Sequence, residues 1–337
     1  MKLSIRQKQW KINGSFTISR GSKTHADVVI VELAEHLLTD REDSQNSWII
    51  GRGECVPYAR YGESIQSVIE QIEAVRPQIE NASLTHQQLL SLLPAGAARN
   101  AIDCALWDLT CKRNQQSIWQ QLNINPQPLI TAFTLSIGSI EEMQQTAKIN
   151  ASRPLLKLKL AGDSLDLARV RAVRDAAPKS KIILDANEAW TEEIYRNLIP
   201  QLLPLDITMI EQPFAADNDD ILTTLPQPIP ICADESCHGQ ESLPSLATKY
   251  QMINIKLDKT GGLTEAFAVK QQAQDLGLKI MIGCMVGSSL SMAPASVIAQ
   301  DADIVDLDGP LLLAEDIDSG IEFEGSIMMP FSDELWG

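Results

Sequence analysis

From about residue 131 the chain repeats one phrase: a short run of apolar, largely β-branched residues, then a longer stretch with helical spacing. Apolar runs fall at 129–135, 155–160, 181–184, 209–210, 229–232, 252–255, 279–282 and 304–306, and helical patterns such as 165–176, 192–203 and 263–276 alternate with them. Short, wholly apolar runs suit strands covered on both faces, and strand–helix alternation implies right-handed crossovers and a parallel sheet. About eight strands are available, which favours a closed barrel over an open doubly wound sheet. No GxGxxG follows the first strand, which weakens a dinucleotide-binding alternative.

The residues before this repeat read differently. β-rich runs at 15–18, 27–33 and 48–55, with a polar segment at 39–47 suited to a hairpin loop, precede helical patterns at 64–79 and 85–93. An alanine-rich stretch at 95–112 then offers small residues for close helix packing. The pattern divides the chain into an α+β unit over 1–122 and a barrel over 123–311. The tail, 312–337, is strand-like and turn-rich without a partner in the barrel pattern, and is expected to return to the first unit.

Composition narrows the function classes. The 337 residues, 44% hydrophobic and 21% charged, are those of an ordinary globular protein with room for a substantial core. A formal charge of −16 argues against nucleic acid, which needs clustered Lys and Arg. Residues 280–300 carry no charge before Asp301, yet their glycines, serines and Pro294 make a strand, a loop and a helix the better reading than a membrane span. The opening MKLSIRQKQWKINGSF lacks a signal-peptide core, so a cytoplasmic location is the expectation. The cysteines (Cys55, Cys104, Cys111, Cys232, Cys237, Cys284) form no CxxC pair and are expected to be buried thiols.

The chemistry lies at the strand ends. Lys159, Asp185, Glu211, Asp234 and Lys256 follow one another at 26, 26, 23 and 22 residues, about one strand–helix unit each, and Asp306 lies 50 residues beyond Lys256. A parallel barrel gathers the C-terminal ends of its strands at one mouth. Asp185, Glu211 and Asp234 there would concentrate negative charge, and oxygen-only ligands suit a hard cation such as Mg²⁺. A lone Asp after a strand can also be a helix N-cap. Lys157 and Lys159 share a strand face by alternation, and Lys159 and Lys256 stand four units of eight apart, half a turn.

Two lysines facing one carbon from opposite sides could take a proton from one face and return it to the other. A lysine near its ordinary pKa of about 10.4 is a poor base; a neighbouring cation or desolvation can bring it to roughly 7–8. A metal on the substrate's carboxylate would stabilise the enediolate between the two transfers, and the sum is racemisation or epimerisation. Inward lysines can also simply be salt-bridge partners of the acidic trio, the lesser of the two readings.

The set KLK, DAN, EQP, ADES and KLDKTGG, in this order and spacing, resembles the enolase superfamily and within it the muconate-lactonising subgroup. The resemblance covers essentially the whole chain and implies an α/β fold, a modified TIM barrel of (β/α)₇β form under an α+β N-terminal capping domain, with one Mg²⁺ per subunit. Within the subgroup the chain is most similar to the dipeptide epimerases acting on L-Ala-D/L-Glu, also through PYARYGES (57–64) and PAGAARNAIDCALWDL (94–109).

That likeness implies a dipeptide substrate, 1,1-proton transfer at the glutamate α-carbon by Lys159 and Lys256, and recycling of murein peptides. Asp306 and Asp308 would hold the substrate's ammonium, Arg20 of ISRGSK would meet its side-chain carboxylate with help from Lys23, and Lys157 would add positive charge. Thr134 would line the pocket, Cys284 and Met285 would offer backbone contacts, and Asn187 and Glu235 would support the inner residues. Taken alone, Asp308 before Gly309-Pro310 could be a turn residue and Arg20 a solvated loop charge. The other readings are an o-succinylbenzoate synthase, an N-acylamino-acid racemase or a cycloisomerase with the same machinery, and a non-catalytic barrel scaffold. No membrane partner is expected, and association into a homo-oligomer is.

Overall fold

The computed structural model describes residues 1–37, 47–81 and 84–337. Strands β1 (Lys2–Ile18), β2 (Gly21–Leu37) and β3 (Ser47–Cys55) form an antiparallel sheet in that order. β1 begins thirteen residues earlier than its sequence suggests, because Arg6–Gln9 is exposed and polar and shows no alternation to read. Most of the polar segment expected at 39–47 lies outside the described residues. Helices α1 (Ile65–Ala74), α2 (Arg76–Asn81), α3 (His86–Leu92), α4 (Ala97–Asn114) and α5 (Ile118–Gln121) follow. The single helix expected over 64–79 is two, since Pro77 has no N–H to continue the ladder. Ser64 and Thr85 start α1 and α3 through reciprocal capping bonds with Ser67 and Gln88.

The alanines of α4 pack on β3 as the sequence suggests. A Cβ at Gly51 or Gly53 would lie 2.2 Å from the carbonyl oxygen of Ala105 or Ala101, so only glycine admits this approach. Behind the sheet, Val29, Val31 and Leu33 join Val68, Ile72, Ile102 and Leu109 in a core of their own.

After β4 (Leu129–Ile130) come eight strands of one parallel sheet: β5 (Phe133–Leu135), β6 (Leu155–Lys159), β7 (Lys181–Asp185), β8 (Ile207–Glu211), β9 (Ile231–Ala233), β10 (Met252–Ile255), β11 (Lys279–Gly283) and β12 (Ile304–Asp306). Helices α6 (Ile140–Ile149), α7 (Asp166–Ala176), α8 (Glu192–Leu202), α9 (Leu243–Leu246), α10 (Leu257–Thr260), α11 (Leu263–Asp275) and α12 (Ser289–Ile298) join them; between β8 and β9 there is only the 3₁₀ turn Asp220–Thr223. Ala132 donates to the Val305 carbonyl at 2.8 Å and Thr131 bridges to Val305, which closes the sheet into a barrel. The run expected as one strand at 129–135 is thus split: its second half enters the barrel, and its first half pairs elsewhere.

That other partner is the tail. After α13 (Gly309–Leu312), β13 (Phe323–Glu324) and β14 (Ile327–Met328) form a hairpin on β4. The last residues reach α4, where Trp336 Nε1 donates to the Cys104 carbonyl at 3.0 Å and Gly337 N to Asp108 Oδ1 at 2.8 Å. Residues 279–300 form a strand, a loop and a helix, and no helix among the described residues is long and apolar enough to cross a membrane.

Candidate active site

The barrel interior explains why the chemistry-bearing residues meet. Ala132, Leu155, Ile183, Met209, Cys232, Met252, Met281 and Ile304, one per strand, form a closed apolar cluster. Two residues further along each strand, where alternation returns the side chain to the interior, stand Thr134, Lys157, Asp185, Glu211, Asp234, Asn254, Gly283 and Asp306. Gly283 is required there: a Cβ would lie 2.5 Å from Asn254 Oδ1. One more alternation on β6 and β10 gives Lys159 and Lys256, four strands apart in a ring of eight. A cavity of about 450 Å³ opens above, lined by Lys157, Lys159, Lys256, Asp234, Asn187, Thr134, Asp306 and Asp308 from the barrel and by Phe16, Arg20, Lys23 and Tyr58 from the capping unit.

The acids and lysines are interlocked. Lys159 Nζ lies 2.5 Å from Asp185 Oδ2, Lys256 Nζ 2.6 Å from Asp234 Oδ2, and Lys259 Nζ 2.6 Å from Asp234 Oδ1. Lys157 Nζ is 2.7 Å from Asp306 Oδ2 and from Glu211 Oε2, and 3.2 Å from Asp185. All of these residues are buried. Burial works to raise the Asp185 carboxyl, but Lys159 and Lys157 outweigh it and bring it to about 2. Burial with Asp185 alongside pushes Glu211 up to about 7.

Lys256 departs from the sequence expectation of a depressed amine. Burial does act downward, yet Asp234 and Glu211 dominate and hold it well above the usual lysine range. Lys157 is raised in the same way, by Asp306 and Glu211.

Five buried side-chain oxygens have no hydrogen-bond donor among the described residues, and all belong to this cluster: Glu211 Oε2, Asp306 Oδ1, Asn187 Oδ1, Asn254 Oδ1 and Glu235 Oε2. The Lys157 contact to Glu211 Oε2 is an ion pair at an angle too poor for a hydrogen bond. Buried acceptors without donors are costly unless something positive meets them. Among the described residues no three His, Cys, Asp or Glu side chains converge on one point as a finished metal cage, and each carboxylate of the trio faces an amine. The donor chemistry nonetheless fits a hard cation: Asp185, Glu211 and Asp234 offer oxygen alone, and Glu211 keeps one oxygen without a donor.

Asp308 is not a simple turn residue. It precedes α13 but makes no side-chain cap there; its Oδ2 accepts from Thr134 N at 2.6 Å instead. Burial and the neighbouring Asp306 push its carboxyl up to about 7. Cys284 and Met285 line the same cavity, and burial with Asp306 and Asp308 holds the Cys284 thiol well above its usual range.

Arg20 sits at the tip of the β1–β2 hairpin and reaches the mouth. Its Nη1 donates to the Asn187 carbonyl at 2.9 Å and to Glu188 Oε2 at 3.2 Å; its Nη2 donates to Tyr58 OH at 3.0 Å and to Glu235 Oε1 at 2.7 Å. Asn187 N in turn donates to Asp185 Oδ1 at 2.9 Å, so hairpin and inner carboxylates are linked through two residues.

Several residues of this site escaped the sequence reading. Asn254, whose Nδ2 donates to Glu211 Oε1 at 2.7 Å, could have been found, since it precedes Lys256 by two on one strand face. Lys259 could have been found one helical turn after Lys256. Gln212 and Glu188 could not: Gln212 Oε1 accepts from Asp234 N at 2.8 Å and Glu188 receives Arg20 and Arg60, from backbones at φ 34° and 69° that no pattern announces. Phe16, whose ring centroid lies 5.8 Å from Lys159 Nζ, comes from the capping sheet and carried no signal either.

Comparison with known proteins places the chain in a family. The model of the mandelate racemase / muconate lactonizing enzyme N-terminal domain matches residues 1–122, and that of the enolase C-terminal domain-like family matches 141–320. The chain belongs to the enolase superfamily, in its mandelate racemase and muconate-lactonizing branch, and it is an isomerase.

It is 43% identical over 324 residues to the L-Ala-D/L-Glu epimerase of Escherichia coli (strain K12), covering 95% of this chain and 97% of that one. To the N-acetyl-D-glutamate racemase of a Pseudoalteromonas species it is 45% identical over 290 residues, 85% and 91% of the two chains. An enolase family member from Agrobacterium tumefaciens with homology to dipeptide epimerases, solved with sodium and L-Ala-L-Glu, superposes with a TM-score of 0.93 at 48% identity over 99% of each chain. A dipeptide epimerase from Enterococcus faecalis, solved with Mg and L-Leu-L-Tyr, gives 0.86 at 29% identity over 98% and 96%.

Proposed function

We propose that the protein is a Mg²⁺-dependent epimerase of L-Ala-D/L-Glu, acting at the glutamate α-carbon. The observation that carries this reading is the position of Lys159 and Lys256 on strands four apart in a ring of eight, in one cavity that also holds Asp306 and Asp308. A substrate α-carbon between the two amines can lose its proton to one and regain a proton from the other. Lys159 and Lys256 alternate as acid and base, and Lys157 balances the charge of Asp306 and Glu211.

Asp185, Glu211 and Asp234 would hold the Mg²⁺, which when bound would offset the negative charge that grows on the substrate's carboxylate as the α-proton leaves. Asp306 keeps a free Oδ1 for the substrate's ammonium; Asp308, fixed by Thr134 N, stands beside it. Asn187 orients Asp185 through its N–H, and Glu235 anchors Arg20 at the mouth. Support comes from the relatives of known name and from the oxygen-only donor set. In the same reading 1–122 with the returning tail 312–337 caps a catalytic barrel of 123–311, the enzyme serves murein-peptide recycling in the cytoplasm, and it self-associates.

A second reading, racemisation of an N-acylated glutamate, is favoured by one observation besides the relative of that name: Asp308, with its carboxyl near neutrality, is a weak partner for an ammonium. Incubation with Mg²⁺ in D₂O separates the two. Deuterium at the glutamate α-carbon of L-Ala-D-Glu, lost in Asp308→Ala, is the expected result; exchange into N-acetyl-glutamate alone would overturn the dipeptide reading.

A further inference from the structure

Lys256 stands at a junction that the capping unit reaches. It follows β10 and opens α10, its carbonyl accepting from Lys259 N at 2.9 Å and from Thr260 N at 3.0 Å. On the barrel side α10 is held by Lys259, whose Nζ lies 2.6 Å from Asp234 Oδ1 and 2.9 Å from the Asn254 carbonyl. On the other side it is held by α4. Arg99 Nη2 donates to the Thr260 carbonyl at 2.6 Å and Arg99 Nε to the Gly261 carbonyl at 3.1 Å. Asn100 Nδ2 donates to Asp258 Oδ1 at 2.8 Å. Neither Arg99 nor Asn100 lines the cavity.

Arg99 is buried, and its acceptors among the described residues are all main-chain carbonyls, the other two being those of Leu90 and Leu93 at the end of α3. Carbonyls at helix C-terminal ends lack donors of their own and suit a cation, so one guanidinium fork joins the ends of α3 and α10. The closeness of this contact accounts for the glycines of KLDKTGG, which the chemistry of the lysines leaves unexplained. Gly261 and Gly262 have φ of 75° and 116°; a Cβ on the first would lie 2.5 Å from Arg99 Nε, and on the second 2.5 Å from Asp103 Cβ. Asp103, one turn after Arg99, accepts from Thr264 N at 2.9 Å and from Thr264 Oγ1 at 2.7 Å, so the same face of α4 also seats the start of α11. Among the described residues no side-chain hydrogen bond of α4 reaches β6, where Lys159 stands.

We propose that Arg99, seconded by Asn100, is a positioning residue for Lys256. It fixes α10 against the capping unit and so sets the approach of one of the two amines to the substrate's α-carbon, while Lys159 is placed by the barrel alone. The assignment rests on the epimerase reading and adds to it that the capping unit governs one face of the proton transfer. A displacement of about 1 Å in a reacting group can cost up to about a hundredfold in rate, so a shifted α10 acts on one half of the reaction.

The test uses Arg99→Met and the charge-keeping Arg99→Lys, with Asn100→Ala as the milder variant should Arg99→Met not fold. Initial α-proton exchange is followed in D₂O with Mg²⁺, starting separately from L-Ala-L-Glu and L-Ala-D-Glu, and Lys256→Ala identifies which of the two Lys256 serves. Exchange of that isomer should fall about tenfold in Arg99→Met, and by a smaller factor in Arg99→Lys and Asn100→Ala, while exchange of the isomer served by Lys159 stays within about twofold of wild type. Epimerisation itself cannot show this bias, because the equilibrium constant fixes the ratio of kcat/KM in the two directions. Equal losses with both isomers, or a lower Tm with no loss of exchange, would confine Arg99 to holding the fold and overturn the proposal while leaving the epimerase reading intact. Wild-type protein that exchanges neither isomer would refute that reading and this assignment with it.

Discussion

Glu54 takes both hydrogens that Ser288 can offer: Ser288 N donates to Oε1 and Ser288 Oγ to Oε2, each at 2.7 Å. Glu54 is the penultimate residue of β3 in the capping unit, and Ser288 is the residue that caps the start of α12 in the barrel. The carboxylate is buried and sits where the first turn of a ten-residue helix presents its unpaired N–H groups, a favourable place for an anion. Trp10 Nε1 adds a third bond at 3.2 Å, and Gly287 leaves room, since a Cβ there would meet Glu54 Oε1 at 3.0 Å. Just before this joint, Cys284, Met285 and Val286 form part of the cavity wall.

Glu54→Gln should therefore disturb the joint and the wall together. The amide turns an N–H toward either the Ser288 N–H or the Trp10 N–H, leaving a buried donor without acceptor, a loss of about 1–3 kcal/mol. For a chain of this size that is a fall of roughly 1–4 °C in Tm by thermal denaturation. KM for the dipeptide should rise severalfold while kcat stays within about threefold, because no reacting group is touched. A lower Tm with an unaltered KM would confine Glu54 to holding the fold.

The two lysines lead to a sharper expectation. In Lys256→Ala, Lys159 can still remove the α-proton from the face it serves and return it to that face, so one stereoisomer should exchange with deuterium without inversion. Lys159→Ala should show the same behaviour with the other stereoisomer. Epimerisation should fall by about 10²–10⁴-fold in each, the usual yield of a positioned acid or base. Neither change leaves a carboxylate bare: Lys259 remains 2.6 Å from Asp234, and Lys157 remains 3.2 Å from Asp185. NMR of the α-proton in D₂O reads the outcome, and exchange of both stereoisomers in either variant would reject the two-base arrangement.

How much of this was legible beforehand follows from which residues obey a period. Lys159, Asp185, Glu211, Asp234 and Lys256 could be gathered at one mouth because a barrel strand repeats every two residues and a barrel unit every two dozen or so. Asn254 obeys the same rule and was equally legible. The ion pairs of Arg20 with Glu188 and Glu235 join residues 168 and 215 positions apart, across a hairpin tip and two barrel loops; no local pattern encodes them. The first half of β1 and the missing helix between β8 and β9 were illegible for a related reason: where neither face of a segment is regularly buried, hydrophobic spacing carries no signal.

Asp258 ties the same seam from the barrel side and gives it a pH dependence. Its Oδ1 accepts from Val56 N at 3.0 Å and from Asn100 Nδ2 at 2.8 Å, both groups of the capping unit. Burial, which outweighs those two bonds, and the carboxylates of Glu63 and Glu54 push it up to about 7 from an ordinary value of 3.8. A carboxyl whose pKa is higher folded than unfolded binds its proton more tightly in the folded state. Its contribution is fully present below the unfolded value, near pH 4, and is lost as the pH rises through 7. Asp258→Asn keeps an acceptor for both donors and removes the titration. The variant's Tm minus that of wild type should therefore grow by several degrees between pH 5 and pH 8, since every tenfold change in proton affinity is worth about 1.4 kcal/mol. Melting both proteins across that range measures it, and a difference that stays flat would show that Asp258 remains ionised at the seam throughout.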